Sequence, residues 1–229
     1  GNYIIIFNGE IYNFKELKEQ LSDWEFKSNS DGEILIPMLI KYGVDFVKKL
    51  NGMFAISIYD AKEDKFILIR DQVGVKPLYI YEDSNIFAFS SEIKSLLSFD
   101  SVKREINYES VYDYLTFQNI FGDKTLFKNI TLMPKGSILI FKENSRENLT
   151  FWKYSDQDLS NKYTKDDLIG KLTTAVDRQL ISDVPIGTYL SSGVDTSTIT
   201  SLANKTDQKF AAITCGYENN QSNPKYGSD

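Results

Sequence analysis

The chain has 229 residues, a formal net charge of −6 and ordinary globular proportions of 41% hydrophobic and 25% charged residues, enough for one large or two modest domains. The acidic balance argues against non-specific nucleic-acid or anionic-membrane binding, and no run approaches the roughly 18 apolar residues of a membrane span. One cysteine, Cys215, excludes an internal disulfide and makes the cytoplasm the expected location; with no histidine, acid–base work must fall to carboxylates, Lys, Tyr or an amine.

Tyr3 to Phe7 is a β-branched and aromatic run expected to form a buried strand that stops at the Asn8-Gly9 turn signal. Phe14, Leu17 and Leu21 at helical spacing predict a helix capped by Asn13. Asp31-Gly32-Glu33 precedes a second helix carrying Ile34, Leu35, Met38 and Leu39, extended through Tyr42 to Leu50. Met53 to Tyr59 and Phe66 to Ile69 read as a hairpin across a charged turn, and Leu78 to Tyr81 with Ile86 to Phe89 as another. In the loop between them, Arg70 and Asp71 are expected to act as an ion pair or loop lock, and Lys76-Pro77 to set turn geometry. Ser91 is expected to cap a short helix through Leu97, and Asn107 a longer aromatic one over residues 107–117. Met133 to Gly136 turns into a strand, Ser137 to Phe141, and Lys142 to Asn148 reads as a turn or linker. Paired strands with two early helices predict an α+β layered domain over 1–150.

Residues 151–229 read differently. Thr164 with Asp167 forms a capping-box pattern at the head of a helix of about 17 residues. Ile186 to Leu190 is expected to be a buried strand, Thr196 to Ala203 a helix and Phe210 to Thr214 the next strand, the start of a parallel α/β sheet. Ser191, Ser192 and Gly193 make the tight turn between strand and helix, where free N–H groups and the helix dipole suit a phosphate or pyrophosphate. The hydroxyls of Ser191, Ser192, Thr196 and Ser197 add donors, and Asp195 is placed to hold Mg²⁺ against the phosphates. No Gly-Lys-Ser/Thr follows, so this is not a Walker A loop; the other reading of the residues alone is an ordinary helix cap.

Leu190-Ser-Ser-Gly-Val-Asp-Thr-Ser197 resembles the Ser-Gly-Gly-x-Asp-Ser-Ser pyrophosphate loop of the ATP-pyrophosphatase superfamily, with Ser192 in place of a Gly and Thr196 in place of a Ser. If Ser192 needed a positive φ, the cost would be about 1–2 kcal/mol. The ordered set Phe7-Asn-Gly-Glu-Ile-Tyr-Asn13, Ser30-Asp-Gly-Glu33, Asn51-Gly-Met-Phe-Ala-Ile56, Arg70 to Tyr79, Ser90-Ser-Glu-Ile-Lys94, Met133-Pro-Lys-Gly136 and Asp183-Val-Pro-Ile-Gly187 is similar to the glutamine-hydrolysing asparagine synthetases, up to about residue 217.

That resemblance implies an N-terminal-nucleophile glutaminase sandwich joined to an ATP-pyrophosphatase-like synthetase domain. A cysteine thiol at the mature N-terminus, with its own α-amine as base, would attack the glutamine amide, so no histidine is required. It implies that Asn8 and the Gly9 N–H form the oxyanion hole, and that Glu10 and Asp31 bind the glutamine backbone, Asp31 at the α-ammonium group. In the synthetase part it implies that Ser191, Ser192, Gly193, Asp195, Thr196 and Ser197 hold the pyrophosphate and Mg²⁺, and that Leu190, Cys215 and Gly216 line the nucleotide. Glutamine, aspartate and ATP are the implied partners; a homodimer is left open.

Both ends read as interrupted, and the nucleophilic cysteine and the arginine that clamps the glutamine carboxylate are expected upstream of Gly1. Cys215, in the second domain, is expected to be a small buried core residue. Two alternatives stand beside asparagine synthesis: an amidotransferase acting on a sugar acid or other carboxylate, and a non-catalytic glutamine- or nucleotide-binding paralogue.

Overall fold

The computed structural model describes residues 2–142, 145–156, 160, 162–205 and 210–216, in two compact units, Gly1–Gln157 and Asp158–Asp229. In the first unit, five antiparallel strands form one sheet in the order β1 (Tyr3–Ile11), β2 (Gly52–Asp60), β3 (Lys65–Arg70), β7 (Ser137–Lys142) and β8 (Ser145–Thr150). A second antiparallel sheet has the order β5 (Phe87–Ser90), β4 (Tyr79–Glu82) and β6 (Ile130–Leu132). The period-two alternation of β2 and β3 decides the layering. Phe54, Ile56, Ile58, Ile67 and Ile69 pack with Leu17, Ile34, Leu35, Met38 and Phe46 from the helical segments. Ala55, Leu68 and Leu139 face the other way, onto Ile80 and Phe89 of the second sheet and Leu78 just before it. The second sheet's outer face holds Tyr81 and Ile130 against Leu96 of a short helix. Helices, sheet, sheet, helix is therefore the layer sequence, the sandwich expected of an N-terminal-nucleophile fold.

Several local elements differ from the sequence expectation, each for a visible reason. β1 does not stop at Asn8-Gly9; it runs to Ile11, because Gly9 and Gly52 let the strand ends approach where a Cβ would meet a backbone oxygen at 2.1 Å. The first helix, α1 (Phe14–Glu19), ends before Leu21, and Asn13 stands at its N-cap without a side-chain cap bond. The Asn13 amide instead donates to the Lys49 carbonyl at 2.9 Å and accepts the Asn51 N–H, tying the helix start to the segment that leads into β2. The second helix divides into a 3₁₀ turn (Asp31–Ile34), α2 (Leu35–Tyr42) and a 3₁₀ segment (Gly43–Lys49), broken where Gly43 takes φ 59°.

Ser91 does not cap α3 (Ile93–Leu96); Glu92 occupies the N-cap position. α4 (Tyr108–Phe117) is capped as expected, the Asn107 side chain accepting from the Ser110 N–H. Lys142 to Asn148 was expected as turn or linker, yet 145–150 is strand β8: an edge strand whose one apolar residue, the half-buried Leu149, packs on the core, so no hydrophobic alternation betrays it.

In the second unit, α5 (Lys165–Gln179) opens on the expected capping box, with Thr164 and Asp167 bonded reciprocally. β9 (Gly187–Tyr189), α6 (Val194–Ala203) and β10 (Ala211–Ile213) form the expected parallel strand–helix–strand unit. β9 is not the buried strand anticipated. Tyr189 is 77% exposed, because among the described residues its sheet has two strands and no further layer over that side chain.

Candidate active site and anion loop

Among the described residues β1 is an edge strand of its sheet, and the ladder fixes which of its amides face away from β2. Tyr12 N–H donates to the Asn51 carbonyl and Ala61 N–H to the Asn2 carbonyl, each at 2.8 Å, so the even-numbered residues of this strand make the narrow pairs with β2. The odd-numbered amides, Gly9 among them, therefore point off the free edge. Ile11 shows the direction, since its N–H donates to Asp31 Oδ2 at 2.7 Å. Opposite Gly9, Phe54 uses its backbone on the far side: its N–H donates to Asp71 Oδ2 at 3.2 Å, and its carbonyl accepts from the Asp71 N–H at 2.9 Å. A Cβ on Gly9 (φ 155°) would stand 2.1 Å from the Met53 carbonyl oxygen, so glycine is required there.

Asn8 projects from the face of β1 that carries Ile4, Ile6 and Glu10, away from the helical core. Its Nδ2 donates to Ser91 Oγ at 2.9 Å. A cavity of about 300 Å³ opens beside them, lined among others by Ile6, Asn8, Leu78, Ser90 and Ser91. An amide N–H and a side-chain amide thus stand on adjacent residues, one at the sheet edge and one at a cavity mouth.

Asp31 is half-buried, and both its oxygens are engaged, Oδ2 by Ile11 N–H and Oδ1 by Gly32 N–H at 2.8 Å. This bonding pins the 3₁₀ turn to β1, and an ionised carboxylate with about four acceptor sites retains lone pairs for a further donor. Glu10 is exposed on the strand. Burial raises the Tyr12 hydroxyl above its ordinary pKa, with the Glu10 charge adding to the effect. Sequence reasoning missed Ser91 as a partner of Asn8, 83 positions away. It did anticipate the Arg70–Asp71 lock, although the lock works through backbone contacts. The Arg70 guanidinium donates to the carbonyls of Gly74, Lys76 and Met133, and the Asp71 carboxylate accepts from Val73, Gly74, Val75 and Lys76 N–H as well as from Phe54.

In the second unit, Ser191, Ser192 and Gly193 link β9 to α6, with Gly193 as N-cap and no side chain capping the first turn. The amides of that turn are thus open to an anion, and Ser191, Ser192, Asp195 and Ser197 are exposed around them. Ser192 is not among the residues with positive φ, so the strain considered for a non-glycine residue there does not arise. The Thr196 hydroxyl turns inward, 3.1 Å from the Ser191 N–H and 2.8 Å from the Ser191 hydroxyl, and shapes the loop. Leu190 N–H donates to the Ile213 carbonyl at 2.9 Å, and the Thr214 hydroxyl donates to the Leu190 carbonyl, which brings Leu190 beside the segment holding Cys215 and Gly216. Cys215 is exposed, not buried as expected, because it lies past the end of β10. No group of three or more His, Cys, Asp or Glu side chains suited to a metal occurs among the described residues. Asp195 alone therefore fits a cation only if phosphate oxygens complete its shell.

Residues 1–152 match the family described as "Glutamine amidotransferase domain", and residues 167–227 match "Asparagine synthase". A relative named "Putative asparagine synthetase [glutamine-hydrolyzing] 2", from Methanocaldococcus jannaschii, is 36% identical over 99% of this chain and 45% of its own length. "Asparagine synthetase [glutamine-hydrolyzing] 2" of Bacillus subtilis is 35% identical over 89% of the chain and 29% of its own length, and "Amidase chry2" of Gibberella zeae is 32% identical over 88% and 31%. The chain thus spans less than half the length of these curated relatives. The amidotransferase match takes in more than half of the chain, which therefore belongs to the glutamine amidotransferase domain family and is similar along its length to relatives named glutamine-hydrolysing asparagine synthetases.

Proposed function

We propose that the protein containing this chain makes asparagine from aspartate, ATP and glutamine, with ammonia passing from a glutaminase reaction to a β-aspartyl adenylate. The observation that carries the glutaminase half is the Gly9 N–H on the free edge of β1 beside the Asn8 amide. A thiolate adding to the glutamine amide drives negative charge onto the carbonyl oxygen; two preset N–H donors stabilise that charge without reorganising. Asp31, held by two backbone amides, presents its remaining lone pairs to the substrate's α-ammonium group. In the second half, the first-turn amides of α6 and the exposed hydroxyls of Ser191, Ser192 and Ser197 bind the pyrophosphate of ATP. Asp195 is the side chain that would meet Mg²⁺ accompanying the phosphates, and the cation would there supply charge neutralisation for the leaving pyrophosphate. The reacting thiol belongs to the parent protein's mature N-terminus, as the family resemblance implies.

The test is glutamine hydrolysis by the full-length natural protein and its Asn8→Ala variant. The variant's kcat is expected to fall about 10²–10³-fold while ammonia-dependent synthesis is retained. Equal glutaminase rates would overturn the oxyanion assignment. A second reading, in which the acceptor is another carboxylate, stands beside it, since a relative over the same residues carries a name other than asparagine synthetase. AMP release that depends on aspartate favours asparagine synthesis, and release only with a different carboxylate favours the second reading.

A further inference from the structure

We infer that Ser91 is a positioning residue for the Asn8 amide, resting on the oxyanion-hole reading of Asn8 proposed above. Asn8 belongs to the edge strand of the five-stranded sheet, and Ser91 follows directly after β5 of the other sheet. Their 2.9 Å bond is thus a contact between the two layers, made at the mouth of the cavity that both residues line. A primary amide has two N–H groups on one nitrogen, fixed in one plane. Engaging one with Ser91 Oγ fixes the rotation of the amide about its χ2 axis, and leaves the second N–H as the donor for a charge developing in the cavity. Without Ser91 the side chain rotates freely, and its χ2 minimum is broad. Orienting the amide would then fall to the reaction itself, which a preorganised site avoids.

Ser91 is itself well placed to serve as a fixed point. Ser90 Oγ accepts the Glu92 N–H at 3.3 Å, Glu92 begins α3, and α3 is seated by Leu96, which is 1% exposed. The residue in the next position along the same turn is therefore held by a strand on one side and a seated helix on the other. Its sequence neighbours explain why it resembled a helix cap: a serine just before a helix ordinarily bonds the first-turn amides, and here that hydroxyl is committed elsewhere.

The experiment is a double-mutant cycle on glutamine hydrolysis by the full-length natural protein, using Ser91→Ala, Ser91→Thr, Asn8→Ala and the Ser91→Ala/Asn8→Ala pair. Removing the orienting partner loosens a donor rather than deleting it, so Ser91→Ala is expected to lower kcat about tenfold, less than loss of the donor itself, with KM for glutamine within about twofold. Ser91→Thr keeps the hydroxyl and is expected to stay within about twofold of the wild type, its extra methyl entering the cavity. In the Asn8→Ala background, Ser91→Ala is expected to add less than about a twofold further loss, because the partner it orients is gone. An equal loss in both backgrounds, or no loss in the Asn8 background of the wild type, would overturn the positioning role. A direct readout, independent of turnover, is the Asn8 side-chain amide in NMR spectra. Its two proton resonances are expected to shift in Ser91→Ala and to stay near wild-type positions in Ser91→Thr; unchanged resonances in Ser91→Ala also overturn the role. If Asn8→Ala hydrolyses glutamine at the wild-type rate, the oxyanion reading falls and takes this role with it; an impaired Asn8→Ala beside an unimpaired Ser91→Ala removes the positioning role alone.

Discussion

Asp71 shows how a single buried charge can hold the backbone behind a sheet edge. It is 0% exposed, and five backbone N–H groups converge on its carboxylate. One of those belongs to Phe54, which is Gly9's cross-strand partner, so the loop lock also holds the backbone against which Gly9 is pressed. Asp71→Asn replaces one acceptor oxygen by an N–H that must face other N–H groups. The expected loss is about 3 kcal/mol of stability, since charged hydrogen bonds and buried unsatisfied donors each carry costs of that order. Urea unfolding monitored by near-ultraviolet circular dichroism measures it; a midpoint equal to the wild type would remove the lock from this account.

At the scale of elements, two exposed turns are built around carboxylates. Asp83 in the β4–β5 turn accepts the Asn85 and Ile86 N–H groups at 2.9 Å and the Tyr81 hydroxyl at 2.8 Å, and these bonds, the Asn85 N–H first, hold its carboxyl below the usual range. Glu33 gathers the Ser28 hydroxyl and the amides of Lys27 and Ser28, with the Ser28 hydroxyl the leading cause of its lowered pKa. A carboxyl depressed on folding binds fewer protons folded than unfolded in the window between its two pKa values. Its stabilisation is therefore complete above the unfolded values of about 4 and is lost as pH falls through the lower folded ones. Asp83→Asn and Glu33→Gln are expected to flatten the stability–pH curve below about pH 4 and to leave its slope near neutrality unchanged. Thermal melts at a series of pH values test this, and an unaltered acid slope in both variants would contradict it.

At the scale of the molecule, each unit supplies its own core. The three clusters of the first unit draw on residues between Tyr3 and Phe151, and the cluster of the second on Val176, Leu180, Leu202, Ala203 and Phe210. The sandwich is also stapled between its layers by aromatic contacts. Phe87 stacks on Phe141 at 4.2 Å, and Phe89 meets Phe66 edge-on at 5.7 Å. Residues 1–157 produced alone are therefore expected to fold and to unfold in one cooperative transition. Dispersed amide NMR signals with a single melting transition would bear this out; a fragment that binds hydrophobic dyes and melts without cooperativity would show that its core is incomplete.

How much of this was legible in the sequence depended on whether the signal was local. The β2–β3 and β4–β5 hairpins, the Asn107 cap and the Thr164–Asp167 capping box were readable, because each is set by residues a few positions apart. The order of motifs around Asn8, Asp31 and Ser191 also pointed to the family and to both candidate sites. The polar edge strand β8 was not legible, because a single apolar residue, Leu149, makes no hydrophobic period. The exposure of Cys215 and Tyr189 depended on what covers them, which composition does not encode. The sequence by itself determined which residues are small, charged or amide-bearing at the site. Only the tertiary structure decided that the Gly9 N–H faces off a sheet edge and that Ser91 meets Asn8, since ladder parity and contacts across 83 positions arise from strand pairing and layer packing.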